Sequence, residues 1–166
     1  MNVFAKRASV ALFSAVLLTA AAGAAMASTV VHVSLWDKGA DMQMVTGLQY
    51  EPGKTIDLSK ATMGIKAMPA QAKAGVVTFK VTNNSKDTIH EMIVMQLDKA
   101  GDALPFIAAD NTVDEDKAGD KGEVSELDPG ASGSLTVALQ PGKYLLICNV
   151  PGHYASGMWT EFNVVK

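Results

Sequence analysis

The stretch Cys148-Asn149-Val150-Pro151-Gly152-His153-Tyr154-Ala155-Ser156-Gly157-Met158 decides how this chain is read. It follows the apolar run Lys143–Ile147 and leads into a second run, from about Met158 to Val165. Both runs are short, rich in apolar and β-branched residues, and bounded by Gly and Pro, which is the pattern of strands. The stretch between them is therefore a hairpin-like loop. Its spacing, Cys-x4-His-x4-Met, lets a thiol, an imidazole and a thioether fold inward to one point.

Outward from this loop, the chain reads as short strands between turn signals. Ser132–Leu139 alternates, with Leu135, Val137 and Leu139 in register, and it lies between Asp128-Pro129-Gly130 and Pro141-Gly142. Val76–Thr82 puts Val77, Phe79 and Val81 on one face. A polar turn at Asn83–Asp87 then leads into Ile89–Leu97, with His90 at the strand start. Met63–Met68 and Thr29–Trp36 are further strand candidates. Residues 37–62 are broken by Gly39, Gly47, Pro52 and Gly53, and 98–128 is the least regular segment, with room for a short helix at 98–112. Several short strands separated by turns predict an all-β fold, a Greek-key sandwich or barrel.

The first residues do not belong to that fold. Lys6 and Arg7 precede an Ala-rich apolar run from Ala8 to about Ala25, and Ala25-Met26-Ala27 supplies the small-x-small cleavage pattern of a secretory signal peptide. The expected organisation is a signal peptide over 1–27, an N-terminal extension with an edge strand over 28–62, and the main domain over 63–166. The Ala-rich core has a bacterial look, so a periplasmic location is expected rather than a membrane-anchored form, with no membrane span after cleavage. The chain has 14 basic and 17 acidic residues; without Lys6 and Arg7 the basic count falls to 12. This balance excludes nucleic acid, whose binding rests on Lys and Arg neutralising phosphates. A monomer is expected.

Cys148 is the single cysteine. In an oxidising compartment an unpaired thiol is buried, joined to another molecule, or held by a metal. Soft sulfur donors with imidazole suit copper, and two His, one Cys and a distant Met describe a blue-copper donor set. His90 is the candidate for the second imidazole, because it opens a strand and precedes the alternation Met92, Val94. A site built on separate strand ends is held rigidly, which keeps the reorganisation between Cu(I) and Cu(II) small.

On these residues the chain resembles the cupredoxins, and its loop looks most like the sulfocyanin, rusticyanin and auracyanin branch. Val76–Leu97, with Phe79-Lys80-Val81-Thr82-Asn83 and then His90, and Gly142–Val165, with the Cys148 loop, carry the resemblance. It implies a type 1 copper ion with His90, Cys148 and His153 as strong equatorial ligands and Met158 as the weak axial one. It also implies a one-electron carrier with redox partner proteins such as a cytochrome or terminal oxidase, with electrons passing at the exposed edge of His153 near Pro151. One position departs from the pattern: several relatives carry Asn directly after the first His, and here Glu91 stands there. A carboxylate facing the metal would lower the potential, and Asn149 could supply part of the missing bracing.

Other functions fit less well. Copper oxidases and nitrite reductases need further centres built from histidine, and beyond His90 and His153 only His32 remains; an enzyme is not expected. A periplasmic copper carrier or homeostasis protein finds its particular support in Met42-Gln43-Met44, which with His32 could form a second Cu(I) site, although most methionines fill cores. Asp110–Asp128 carries eight acids against two lysines. It reads either as a solvated, mobile loop or as a docking patch for a basic partner. Asn83-Asn84-Ser85 matches a glycosylation sequon but is read as a turn.

Overall fold

The computed structural model describes residues 28–97 and 102–166. The signal peptide expected over 1–27 lies outside the described residues. Eleven strands and one short helix follow in order: β1 (Thr29–Asp37), β2 (Met63–Met68), β3 (Gln71–Lys73), β4 (Gly75–Asn83), β5 (His90–Leu97), β6 (Phe106–Ile107), β7 (Thr112–Val113), α1 (Glu115–Ala118), β8 (Asp120–Leu127), β9 (Ser132–Leu139), β10 (Gly142–Ile147) and β11 (Trp159–Val165). One sheet has the order β2-β1-β4-β9 and the other β3-β11-β10-β5-β8, while β6 and β7 pair separately. The fold is an all-β, cupredoxin-like sandwich.

The alternation in the sequence sets the faces. Val31, Val33 and Leu35 of β1 and Val77, Phe79 and Val81 of β4 are buried. They meet Met92, Val94, Tyr144, Leu146 and Phe162 of the other sheet in one core. Phe79 and Phe162 stack edge to face across it, with centroids 5.2 Å apart. β5 and β10 are buried on both faces. Their other sides, Ile93, Met95, Leu145 and Ile147, pack under Tyr50, Leu104, Val113 and Trp159 in a second core. That explains the continuous apolar reading of these two strands, since a strand covered on both sides has no polar face.

Three expectations are corrected. The strand in 28–62 is not an edge strand: β1 lies inside its sheet, parallel to β4 and antiparallel to β2. Its inward side chains are as apolar as those of β4, and β2 and β4 hydrogen-bond to its two edges. No helix lies in the described part of 98–112, which holds β6 and the start of β7; the helix falls at Glu115–Ala118, capped by the Asp114 side chain accepting from Lys117 N. The acidic stretch 110–128 is not a mobile loop. It contains β8, which pairs antiparallel with β5 through register shifts near His90 and Met95. Only Val124 of β8 is fully buried, with Leu127 half-buried, so the strand carries almost no apolar alternation. Among the described residues no helix is long and apolar enough to cross a membrane.

Candidate metal centre

Four predicted residues come from three places at one end of the sandwich. His90 opens β5, Cys148 follows the last residue of β10, and His153 and Met158 lie in the loop before β11. One donor atom each from His90, Cys148 and His153 lies within 4.8 Å of the others, and all three residues are buried. His90 Nδ1 is 3.2 Å from His153 Nδ1, and Cys148 Sγ is 3.3 Å from His153 Nδ1. Met158 is fully buried and shares the first core with Cys148. Cys148 N donates to Met158 O at 3.1 Å, and Met158 N donates to His153 O at 3.0 Å, so the backbone closes the loop on itself.

Glycine makes this closure possible at two points. Gly152 has φ +86° and Gly157 has φ +92°, a region costly for residues with a Cβ. A Cβ on Gly157 would also meet Leu58, Ala61 and Leu48 at 3.0, 3.2 and 3.3 Å. The short turn of helix at Tyr154–Ser156 is pinned by Ser156 Oγ donating to Gly152 O at 2.8 Å. Segment 28–62 holds the loop from outside. Leu48 N donates to Ala155 O at 2.9 Å, and Trp159 Nε1 donates to Leu48 O at 2.7 Å.

Burial governs the protonation of the donors. It pushes the Cys148 thiol up to about 12 and the His153 imidazole down to about 4, with His90 nearby adding to the latter shift. Burial also lowers His90, against the pull of Asp37. Both imidazoles are thus held neutral, with lone pairs free to ligate, whereas the thiol must lose its proton to do so. A thiol and a thioether combined with two neutral imidazoles, all withdrawn from water, fit copper.

The residues around the donors were only partly anticipated. Glu91 is buried, and its Oε1 accepts from Asn149 N at 2.9 Å, while Glu91 N points its hydrogen at Cys148 Sγ at 3.5 Å. The bracing ascribed to Asn is therefore provided by Glu91 itself. Burial pushes this carboxyl up to about 7, the Asn149 N–H opposes the shift, and Glu115, Glu123 and Glu126 add to it. The Asn149 side chain works outward instead: its Oδ1 accepts from Val113 N at 2.6 Å and its Nδ2 donates to Glu115 Oε1 at 2.6 Å. The expected exposed edge of His153 is corrected: the residue is only 5% exposed, and the nearby Pro151 is the exposed one. His32 stands on the outer face of β1 beside Lys66, Met68 and Lys80, whereas Met44 rests against Gly152 and Met42 packs on the first core. Thus His32 and the Met42-Met44 pair do not share one surrounding.

The residue that sequence reasoning missed is Asp37. It ends β1, and its Oδ2 lies 2.8 Å from His90 Nε2, with both side chains almost wholly buried. Burial works to raise the carboxyl, but hydrogen bonds from Ser85, His90, Gly39 N and Thr88 outweigh it and hold Asp37 below the ordinary carboxylate value. No spacing pattern links two residues 53 positions apart.

Known proteins give the family. No curated protein sequence matches the chain. Reduced auracyanin from Roseiflexus castenholzii is 20% identical over 84% of this chain and 98% of its own, with a TM-score of 0.48. Auracyanin A from Chloroflexus aurantiacus, described as a blue copper protein, is 28% identical over 57% of this chain and 82% of its own, with a TM-score of 0.43. A rusticyanin variant is 17% identical over 84% of this chain and 79% of its own, with a TM-score of 0.50, a likeness of fold alone. The sulfocyanin (SoxE) domain model matches residues 54–166, more than half of the chain, a span in which His90, Cys148, His153 and Met158 fall. The protein therefore belongs to the sulfocyanin family of blue-copper electron carriers, which are not enzymes.

Proposed function

We propose that this protein is an exported one-electron carrier whose copper is held by His90, Cys148 and His153 as strong ligands and by Met158 as the weak axial one. The observation that carries the reading is the buried trio of His90, Cys148 and His153 with donor atoms within 4.8 Å of one another. When bound, copper supplies a one-electron Cu(I)/Cu(II) couple. The residues provide the rest. His90 and Cys148 sit on the ends of adjacent paired strands, β5 and β10, so the donor set is stiff. Met158 and Cys148 are fully buried, which favours retaining the ion through redox cycles over handing it to an acceptor.

Reading 1–27 as a signal peptide supports export to a periplasm, where a lone thiol survives as a metal ligand. In a bacterial host, the mature protein should then be recovered from the periplasm with Ser28 as its first residue; a cytoplasmic product starting at Met1 would overturn the export reading. The copper reading has its own test. Cu(II) added to the purified mature chain should give an intense visible thiolate-to-copper band, absent in Cys148→Ala. Met158→Leu should keep the band and raise the potential, because Cu(I) tolerates the loss of a fourth donor better than Cu(II) does. A colourless wild-type protein, or an unchanged potential in Met158→Leu, would contradict the assignment.

A further inference from the structure

We propose that Asp37 is a positioning residue of the copper centre: it fixes which nitrogen of His90 faces the metal and makes that imidazole a stronger donor. The inference rests on His90 being a ligand. It also assigns part of the site to β1, which lies before the 54–166 region shared with the family.

The argument is geometric. Asp37 Oδ2 is 2.8 Å from His90 Nε2, and the side chains keep 2% and 0% of their exposure. Asp37 Oδ1 accepts from Gly39 N at 2.9 Å. An ionised carboxylate can only accept, so across the 2.8 Å contact Nε2 must carry the hydrogen. A neutral imidazole has one N–H, so Nδ1 is left with the lone pair. Nδ1 is the nitrogen that lies 3.2 Å from His153 Nδ1, on the side of Cys148. Partners of this kind orient a metal-binding histidine and raise its basicity. The charge should favour Cu(II) over Cu(I), and burial keeps water from screening it.

Asp37 is held in place from both flanks. It pairs with Met63 of β2, Lys38 N donates to Thr62 O at 2.9 Å, and Asn84 N donates to Leu35 O at 2.8 Å. The last of these ties β1 to the turn that delivers His90. That turn is itself pinned by Asn83 Nδ2, which donates to Thr88 O and Leu127 O, each at 2.8 Å.

The test compares wild type with Asp37→Asn, which keeps the shape and removes the charge, and with Asp37→Ala. Three readouts are used: nitrogen NMR of His90 in the chelator-treated protein, copper affinity by chelator competition, and reduction potential. The expected result is an Nε2-protonated His90 in wild type, with a slowly exchanging Nε2 hydrogen that is lost in Asp37→Ala. Copper binding should weaken about 10- to 100-fold in Asp37→Ala, and the potential of Asp37→Asn should rise. A folded Asp37→Asn with an unchanged potential, or a wild-type His90 protonated on Nδ1, would overturn the proposal. If Asp37→Ala does not fold, wild type and Asp37→Asn decide the matter. A wild type without the visible copper band would remove the ligand reading instead, and the NMR would still test the Asp37–His90 bond.

Discussion

A carboxylate beside the buried Cys148 sulfur is costly to bury, and Glu91 bears that cost to hold the loop. Its carboxyl titrates at about 7 in the folded protein, against an ordinary value of 4.5, because burial disfavours the charged form. The raised value means that the folded state holds the proton more tightly than the unfolded chain. Folded stability from this residue is therefore full below 4.5, declines as the pH rises to 7, and is level above. His153 and His90 act oppositely, since burial lowers them and stability from them grows as the pH rises through that range. The difference between wild type and Glu91→Gln isolates the carboxylate, because Gln keeps an oxygen for the Asn149 N–H. In copper-free protein, Glu91→Gln should match wild type near pH 4 and gain on it up to pH 7. The gap should reach on the order of 2 kcal/mol after discounting for residual solvent. Chemical denaturation at several pH values measures it, and a gap that does not change with pH would mean the carboxylate is not strained by burial.

At the scale of elements, β1 is core rather than appendage. Leu35 is fully buried between β2 and β4, so Leu35→Ala should destabilise the protein by about 2–5 kcal/mol, as large-to-small changes in packed cores do. An exposed N-terminal arm would lose almost nothing, so thermal unfolding separates the two cases. The strands that face solvent on one side, β4 and β9, were legible because their alternation is clean, and β9 falls on the expected residues. The ends of β5 and β10 were legible through His90 and Cys148. β8 was not, because Asp120, Glu123 and Glu126 deplete the strand signal, and the partner that makes it a strand, β5, lies at a distance in the sequence. The same blindness applied to β1: alternation in Thr29–Trp36 announced a strand but not its neighbours. The ligand loop could be read because its chemistry is local, within eleven residues; Asp37 and the bracing role of Glu91 arise only from tertiary contact.

At the scale of the whole molecule, charge is distributed unevenly. Asp114, Glu115, Asp116 and Glu126 surround a depression that also contains Asn149, Val150 and Pro151 of the metal loop. Lys66 and Lys80 lie on the outer face of the other sheet. The N-cap and first turn of α1 and strand β8 carry these acids, and the patch adjoins Asn149, which follows Cys148 in the chain. A basic redox partner would be steered to this flank, because a field of one sign raises the encounter rate without adding much affinity. The rate of electron exchange with a basic electron-transfer protein should fall steeply as ionic strength rises from about 0.01 to 0.15 M, where the screening length shrinks from about 30 to about 8 Å. Asp116→Asn combined with Glu126→Gln should slow the low-salt reaction and flatten its salt dependence, while leaving the visible copper band intact. Stopped-flow mixing at several salt concentrations reads both effects. A salt dependence equal to that of wild type would mean that the partner approaches elsewhere, with the buried edge of His153 beside Pro151 as the alternative contact.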